Sequence, residues 1–188
     1  MNQTCRVITN VYLPGTAFRA HMGIKVQKIP LEKMKENREE LLKVPSCYLE
    51  GEILCTVGET TIQMEDDLSC LWQQVLNAME DLLEAPFAMQ EFPDSSVAMC
   101  FQIPEEEPDT IVFWIDFEKQ NRIRCDRKLL LSALLDGAET FFHAFEDAMA
   151  DVDLTQYPLY GEPREPDEYQ FGSIQEWIDR LRGKLLTT

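Results

Sequence analysis

The sequence predicts an α+β fold: an antiparallel sheet built from hairpins, with helices packed on one face and a further helix at the C-terminus. Three observations support this prediction. Strand-like segments come in pairs joined by short turns, which is how antiparallel strands are connected. Two longer segments repeat apolar residues at the 3.6-residue period of an amphipathic helix. Finally, 188 residues of which 45% are hydrophobic are enough to bury one full core.

Two strands and a charged helix are predicted to open the chain. The strands are CRVITNVYL and FRAHMGIKVQKI, which flank a PGT turn. The helix is predicted through LEKMKENREELLK, because a proline is tolerated where a helix starts, as at Pro30, and ends a helix elsewhere, as at Pro45. A second hairpin follows, formed by CYLEGEILCTV and TTIQM with Gly58 in its turn.

An acidic helix is predicted over MEDDLSCLWQQVLNAMEDLLE, residues 64–84. Asp66 or Asp67 can cap its start, and Pro86 prevents it from continuing. Its apolar residues share one face, and Trp72 at the centre of that face is expected to be buried. These residues are Leu68, Leu71, Trp72, Val75, Leu76, Met79, Leu82 and Leu83.

Three more strands and a second long helix are predicted after the acidic helix. The strands are SSVAMCFQI, TIVFWIDFE and RIRCD, and the helix covers roughly residues 127–150, with apolar residues gathered on one face. A hairpin followed by a helix therefore occurs twice, in residues 48–84 and in residues 110–150. The recurrence suggests a structural repeat, although the two segments share no residue-level identity that would prove a duplication.

Residues 1–150 are expected to form a single α+β domain. Residues 151–188 are expected to form an irregular strap, rich in proline and aromatic residues, and a C-terminal helix packed on the same domain. Ser173 and Glu176 have the spacing of a capping box for that helix. The aromatic residues of the strap favour packing against the domain, with a binding surface as the alternative. They are Tyr157, Tyr160, Tyr169 and Phe171.

Charge is segregated along the chain. No Lys, Arg or His occurs in residues 44–118, a stretch of 75 residues that holds 17 acids and that we call the acidic window. The rest of the chain has 17 acids and 17 bases, so the formal net charge of −17 arises within the window. Acids at the C-terminal end of a helix cost about a few tenths of a kcal/mol each. Reversing Glu80, Asp81 and Glu84 to Lys is therefore expected to leave stability unchanged or slightly higher.

No motif for catalysis, a cofactor or a metal stands out. The serines lie in no GxSxG elbow, and no glycine-rich phosphate loop is present. Glu139 and His143 are spaced so that both could touch one metal ion, but a zinc site needs more protein ligands and His21 is distant in sequence. Cys125 lies beside two arginines, yet a buried structural thiol is the favoured interpretation. We therefore expect no cofactor, no metal and no enzymatic activity.

Cysteine usage and the N-terminus predict a cytoplasmic protein with reduced thiols. The six cysteines form no CxxC pair, and Cys70 is expected to react first because it lies on a polar helix face. The segment MNQTCRVITNVYLPG lacks the basic and apolar regions of a signal peptide. No segment approaches the roughly 18 apolar residues of a membrane span, so no membrane association is expected.

A short basic segment, KQNRIRCDRK, begins where the acidic window ends. It could suggest nucleic-acid binding. A protein of net charge −17 repels phosphate over most of its field, so pairing of these bases with nearby acids is the better explanation. Direct binding of nucleic acid is not expected.

The hypothesis that remains is a non-catalytic acidic binding or inhibitor protein. Dense acids accelerate encounters with basic partners and discriminate against acidic ones. The concrete form is a cytoplasmic immunity-type protein that neutralises a basic partner, such as a toxin nuclease or another nucleic-acid-binding protein. The alternatives are an acidic housekeeping α+β protein and, less favoured, a small-molecule enzyme. Oligomeric state is not indicated. The candidate partner-binding residues are Glu80, Asp81, Glu84, Glu105, Glu106, Glu107 and Asp109.

Overall fold

A computed structural model describes residues 3–13, 26–42, 49–93, 96–116, 121–152 and 171–185. Within these ranges the chain forms two four-stranded antiparallel sheets and the helices that pack on them, so the predicted α+β class is confirmed, with two sheets where the sequence suggested one. The strands are β1 (Cys5–Tyr12), β2 (Lys28–Pro30), β3 (Glu50–Val57), β4 (Thr60–Asp67), β5 (Phe87–Glu91), β6 (Ala98–Gln102), β7 (Thr110–Ile115) and β8 (Arg122–Asp126). The helices are α1 (Arg38–Leu41), α2 (Leu68–Glu84), α3 (Arg127–Met149) and α4 (Phe171–Leu185).

The two sheets lie side by side. The first has the strand order β2-β1-β3-β4 and the second the order β5-β6-β7-β8. β4 contacts β8, where the Asn121 amide donates a hydrogen bond to the Thr61 carbonyl at 2.8 Å. One face of each sheet packs against the helices in a single apolar core. We call the opposite face of each sheet its outer face.

The predicted repeat of a hairpin followed by a helix is present as β3-β4-α2 and β7-β8-α3. In both units the last residue of the hairpin caps the helix. The Asp67 carboxylate accepts from the Ser69 backbone N–H at 2.9 Å, and the Asp126 carboxylate accepts from the Leu129 backbone N–H at 2.8 Å. α2 begins at Leu68 and not at residue 64, because β4 stays paired with β3 as far as Asp67.

Trp72 is fully buried, as predicted from its place on the apolar face of α2. It packs where α2, α3 and β1 meet, beside Gly137 of α3. A Cβ atom at Gly137 would lie 2.8 Å from the Trp72 ring and 2.8 Å from Val7 of β1. The glycine therefore allows the tryptophan ring to approach the backbone of α3.

The segment after β2 differs from the predicted charged helix. It forms two 3-10 turns, Leu31–Lys33 and Lys35–Asn37, followed by the short helix α1. Met34 and Leu41 are its buried apolar residues, and the helix starts lack side-chain caps, so little favours one continuous α-helix. Much of the second predicted strand and of the strap lies outside the described residues.

The C-terminal helix α4 packs against α2 and α3. Ile174, Ile178, Leu181 and Leu185 are its buried apolar residues. The helix begins at Phe171, so the predicted start at Ser173 is wrong. None of the described helices combines the length and apolar character needed to cross a bilayer.

Candidate functional site

The predicted partner-binding acids lie in two places that the fold brings together. Asp81 and Glu84 are exposed near the C-terminal end of α2, and Glu105–Glu107 and Asp109 lie in the loop between β6 and β7. The Ile103 backbone N–H donates to the Pro86 carbonyl at 2.7 Å, which holds the start of that loop beside the segment that follows α2.

Glu80 is held by α4. Its carboxylate accepts two hydrogen bonds from the Arg180 guanidinium, at 2.7 and 2.8 Å, and one from the Trp177 indole N–H at 2.8 Å. Burial alone raises the pKa of the Glu80 carboxyl, but the hydrogen bonds from Arg180 and Trp177 and the nearby cationic charges outweigh it, so the pKa lies below its ordinary value. Glu80 therefore anchors α4, and we do not include it in the candidate surface. Reversing it to Lys would place a cation against Arg180, so the expected neutral effect on stability does not extend to this residue.

Glu107 and Asp109 also make contacts within the chain. The Arg124 guanidinium lies 2.5 Å from the Glu107 carboxylate, which in addition accepts from the Thr110 hydroxyl at 3.1 Å. The Asp109 carbonyl accepts from the Arg127 backbone N–H at 2.7 Å. The basic segment thus pairs with the acidic loop, as predicted. Glu84, Glu105 and Glu106 are exposed, and none of them forms an ion pair with another described residue.

Strand β5, which follows α2 directly, carries exposed apolar side chains. Phe87 is 46% exposed and Met89 is 52% exposed, and among the described residues these are the large hydrophobic side chains left most accessible. Both point to the outer face of the second sheet. The Phe87 ring lies 6.3 Å from the Trp114 ring. The Arg122 guanidinium stacks on the same Trp114 ring, 4.8 Å from its centroid. Beside them, on the same face of the neighbouring strands, is a small buried cluster of Ala98, Cys100, Val112 and Trp114.

Acids lie near β5, both on the strand itself and at the end of α2, which meets the face opposite to Phe87 and Met89. Glu91 is exposed on the same strand and face as Met89. The Gln90 amide donates to the Asp81 carboxylate at 2.6 Å, which places the end of α2 against β5. We define the β5 surface as the exposed side chains of Phe87, Met89 and Glu91 together with the neighbouring acids Asp81, Glu84, Glu105 and Glu106. The acidic window supplies all of these residues, so no base lies among them.

The sequence did not predict β5. The strand has five residues, and Ala88 and Glu91 are of types that are depleted in strands. Its pattern is also the reverse of a half-buried strand, because the large apolar residues Phe87 and Met89 face solvent while Gln90 faces α2. A usable signal was the placement of Pro86 and Pro93 on either side of an alternating segment.

A second polar cluster lies on the outer face of the first sheet, around Glu52. The Glu52 side chain is fully buried, and each of its oxygens accepts two hydrogen bonds. Asn10 and Lys28 donate to Oε1 at 2.8 and 2.6 Å, and Tyr12 and Gln63 donate to Oε2 at 3.1 and 2.8 Å. A carboxylate offers about four lone-pair sites. All of them are used within the chain, so Glu52 is bound as a structural group.

Tyr12 links Glu52 to a second carboxylate. Its hydroxyl lies 3.1 Å from Glu52 and 3.1 Å from Glu65. Burial raises the pKa of the Tyr12 hydroxyl, and the charges of Glu65 and Glu52 and their hydrogen bonds raise it further. The tyrosine therefore stays protonated and acts as a hydrogen-bond donor.

The other groups considered from the sequence have structural surroundings. Glu139 accepts from Arg182 at 3.0 Å and from Gln175 at 2.8 Å, so the carboxylate beside His143 serves to hold α4. Cys125 is buried, and burial together with Cys5 and Asp126 raises the pKa of its thiol to about 12. This bears out a structural thiol. Within the described ranges, no group of three His, Cys, Asp or Glu side chains is placed to hold a metal ion.

Comparisons of the chain with protein-family models, with curated proteins and with solved structures found no match.

Proposed function

We propose that this chain is a non-catalytic binding protein whose β5 surface engages a basic protein partner. The observation that carries the proposal is the coincidence of two features on one strand. The most exposed large apolar side chains of the described residues, Phe87 and Met89, lie on one face of β5, and the other members of the β5 surface are acids.

This arrangement has the composition of a protein interface. Interface centres are enriched in aromatic residues and methionine, and their rims are polar. Exposed Phe87 and Met89 supply such a centre, with the Trp114 ring beside Phe87 on the same face. Glu84, Glu91, Glu105 and Glu106 supply exposed acids near this centre, and a predominance of acids accelerates encounter with a cationic surface and disfavours an acidic one.

The concrete function that we favour is inhibition of the immunity type, in the cytoplasm. A toxin nuclease or another nucleic-acid-binding protein presents a basic surface that is built to receive phosphates. Carboxylates in the acidic window would compete for that surface by charge. We propose a non-catalytic role because the carboxylate at the centre of the most elaborate polar cluster described, Glu52, is fully engaged. Its lone pairs accept hydrogen bonds from the chain's own donors, which leaves none for a substrate.

The test is capture of a partner by variants matched in charge. The wild-type protein, the variant Glu84→Gln/Glu105→Gln/Glu106→Gln and the control Glu32→Gln/Glu36→Gln/Glu39→Gln are immobilised and exposed to a lysate of the native organism at low salt. All six substituted positions are exposed, and both variants have the same net charge. We expect the wild type and the control to retain one basic protein that salt releases, and the first variant to retain much less of it.

Association kinetics of the purified partner then complete the test. The proposal predicts a slower on-rate for Glu84→Gln/Glu105→Gln/Glu106→Gln and an on-rate near the wild-type value for the control. Retention of no basic protein, or equal loss in the two variants, would contradict it, since equal loss reflects total charge and not the β5 surface.

A further inference from the structure

The edge of β5 is unpaired in the described part of the chain. β5 is the first strand in the order β5-β6-β7-β8, and β6 is its partner. Two hydrogen bonds fix which of its residues bond to β6. The Ile103 N–H donates to the Pro86 carbonyl at 2.7 Å, and the Phe92 N–H donates to the Val97 carbonyl at 2.8 Å. Bonded and non-bonded pairs alternate along an antiparallel ladder, so the even-numbered residues of β5 are the ones that bond to β6.

The odd-numbered residues Phe87, Met89 and Glu91 therefore direct their backbone N–H and C=O groups away from β6. Their side chains are also the exposed ones on the outer face. One set of three residues thus presents unpaired backbone groups and accessible side chains together. This is the arrangement that an additional strand can recognise, because backbone bonds give it affinity and side-chain contacts give it specificity.

β5 lacks three of the features that commonly protect an edge strand. Edges are commonly blocked by lysine, by proline or by very short strands. The opposite edge of the structure, β2, has all three, because it is three residues long and contains Lys28 and Pro30. β5 is five residues long and contains neither residue type. The difference between these two edges indicates that pairing is prevented at β2 and permitted at β5.

We propose that the partner adds one extended strand to the edge of β5, and that this strand alternates apolar and basic residues. The inference rests on the proposed function, since it specifies how the same surface holds its partner. Residues of the added strand on the outer-face side would lie beside Phe87 and Met89 and should be apolar. The alternate residues would point toward the end of α2, where Asp81 and Glu84 are exposed, and should be lysine or arginine.

Charge complementarity selects such a segment over a second copy of this chain. Pairing β5 with another β5 would bring the acids of two β5 surfaces together in molecules of net charge −17. Like charges placed across an interface are repulsive. A basic extended strand instead neutralises the acids that border the edge.

The test uses a short synthetic peptide in which valine and lysine alternate, with blocked termini, and compares two substitutions of Met89. Met89→Pro removes the outward N–H, which makes no bond to β6, so the sheet keeps its hydrogen bonds. Met89→Ala keeps that N–H and removes most of the side chain. Far-ultraviolet circular dichroism and thermal unfolding establish that both variants are folded.

We expect the peptide to bind the wild type and to bind Met89→Pro up to about tenfold more weakly, as the loss of one backbone hydrogen bond implies. Met89→Ala should bind more tightly than Met89→Pro. A peptide that alternates valine and glutamate should not bind. Residue-resolved hydrogen exchange should show that the peptide protects the amides of Phe87, Met89 and Glu91.

Failure of this inference differs from failure of the proposed function. If the captured basic partner binds Met89→Pro as tightly as wild type, yet depends on Glu84, Glu105 and Glu106, strand addition is wrong and the acidic binding function stands. Absence of peptide binding to the wild type also overturns strand addition. Concentration-dependent sedimentation as a dimer that Met89→Pro abolishes would show that a second copy takes this edge.

Discussion

The outer faces of the two sheets differ in which residues they bury and which they expose. On the first sheet a charged side chain, Glu52, is fully buried and receives four hydrogen bonds from its own chain. On the second sheet large apolar side chains, Phe87 and Met89, remain about half exposed and are bordered by acids. A buried charge whose hydrogen bonds are all formed within the chain stabilises the fold. Apolar side chains exposed beside an unpaired strand edge have an unfavourable free energy of hydration and do not stabilise the fold. The comparison therefore separates a structural cluster from a binding surface.

The largest expected effect is on the structural face. Glu52→Ala should lower the free energy of unfolding by about 3 to 5 kcal/mol, because it leaves buried donors without their acceptor. Urea-induced unfolding measures this change, and Glu52→Gln should recover part of it because the amide oxygen still accepts. A change for Glu52→Ala as small as that of an exposed substitution would show that the cluster does not hold the first sheet together.

The next effect concerns the packing of Trp72. Alanine in place of a helical glycine normally stabilises by about 1 kcal/mol. At position 137 we expect the opposite, a loss of about 1 to 3 kcal/mol, because the new Cβ would lie 2.8 Å from the Trp72 ring and from Val7. Thermal unfolding of Gly137→Ala decides the sign, and a raised midpoint would mean that the ring does not pack against this glycine.

A smaller effect is expected from acidification of the α4 contacts. Hydrogen bonds from Arg182 and Gln175, with the charges of Arg182 and His143, lower the pKa of Glu139 against the opposing effect of burial, and the pKa of Glu80 is also below the ordinary value of 4.5. Because folding lowers these pKa values, the contribution is full above pH 4.5 and is lost as the pH falls through the folded values. Both contacts are partly exposed, so each should contribute about 0.5 kcal/mol.

The measurement for this prediction is urea unfolding at neutral pH and at about pH 3, where the carboxyls of the unfolded chain are mostly protonated. The variant Glu80→Gln/Glu139→Gln should lose less stability on acidification than the wild type. Equal losses in the two proteins would assign the acid sensitivity to other carboxylates.

The smallest effect on stability should come from the β5 surface itself. Phe87→Ser/Met89→Ser should change the free energy of unfolding by about 0.5 kcal/mol or less, since both side chains are substantially exposed. Partner retention should nevertheless fall more than in any variant above, because these side chains form the centre of the proposed interface. Strong destabilisation together with normal retention would place Phe87 and Met89 in the core and reverse the comparison.

Local patterns predicted much of this fold. Periodic apolar residues placed α2 and α3, and the aspartates at their starts are the observed caps. Contacts between distant residues were not predictable in the same way. Glu52 meets Lys28 and Asn10 across 24 and 42 residues, and Glu80 meets Arg180 across 100 residues.

The candidate site was predicted only in part, for a related reason. The absence of Lys, Arg and His from the acidic window pointed to Glu84, Glu105 and Glu106 as exposed acids, because charge composition can be read from the local sequence. It could not show that Glu80 is bound by α4, or that Phe87 and Met89 face solvent. Those facts depend on which side of a short edge strand the helix covers, and tertiary packing decides that.

The most direct test of the account is a residue-resolved nuclear magnetic resonance titration of this protein with its purified basic partner. The account predicts that signals of Phe87, Met89, Glu91 and the Trp114 indole change or broaden, while those of Tyr12, Gln63 and their neighbours on the first sheet do not. Changes centred on Tyr12 and Gln63, with β5 unaffected, would contradict the assignment of the second sheet's outer face as the binding surface.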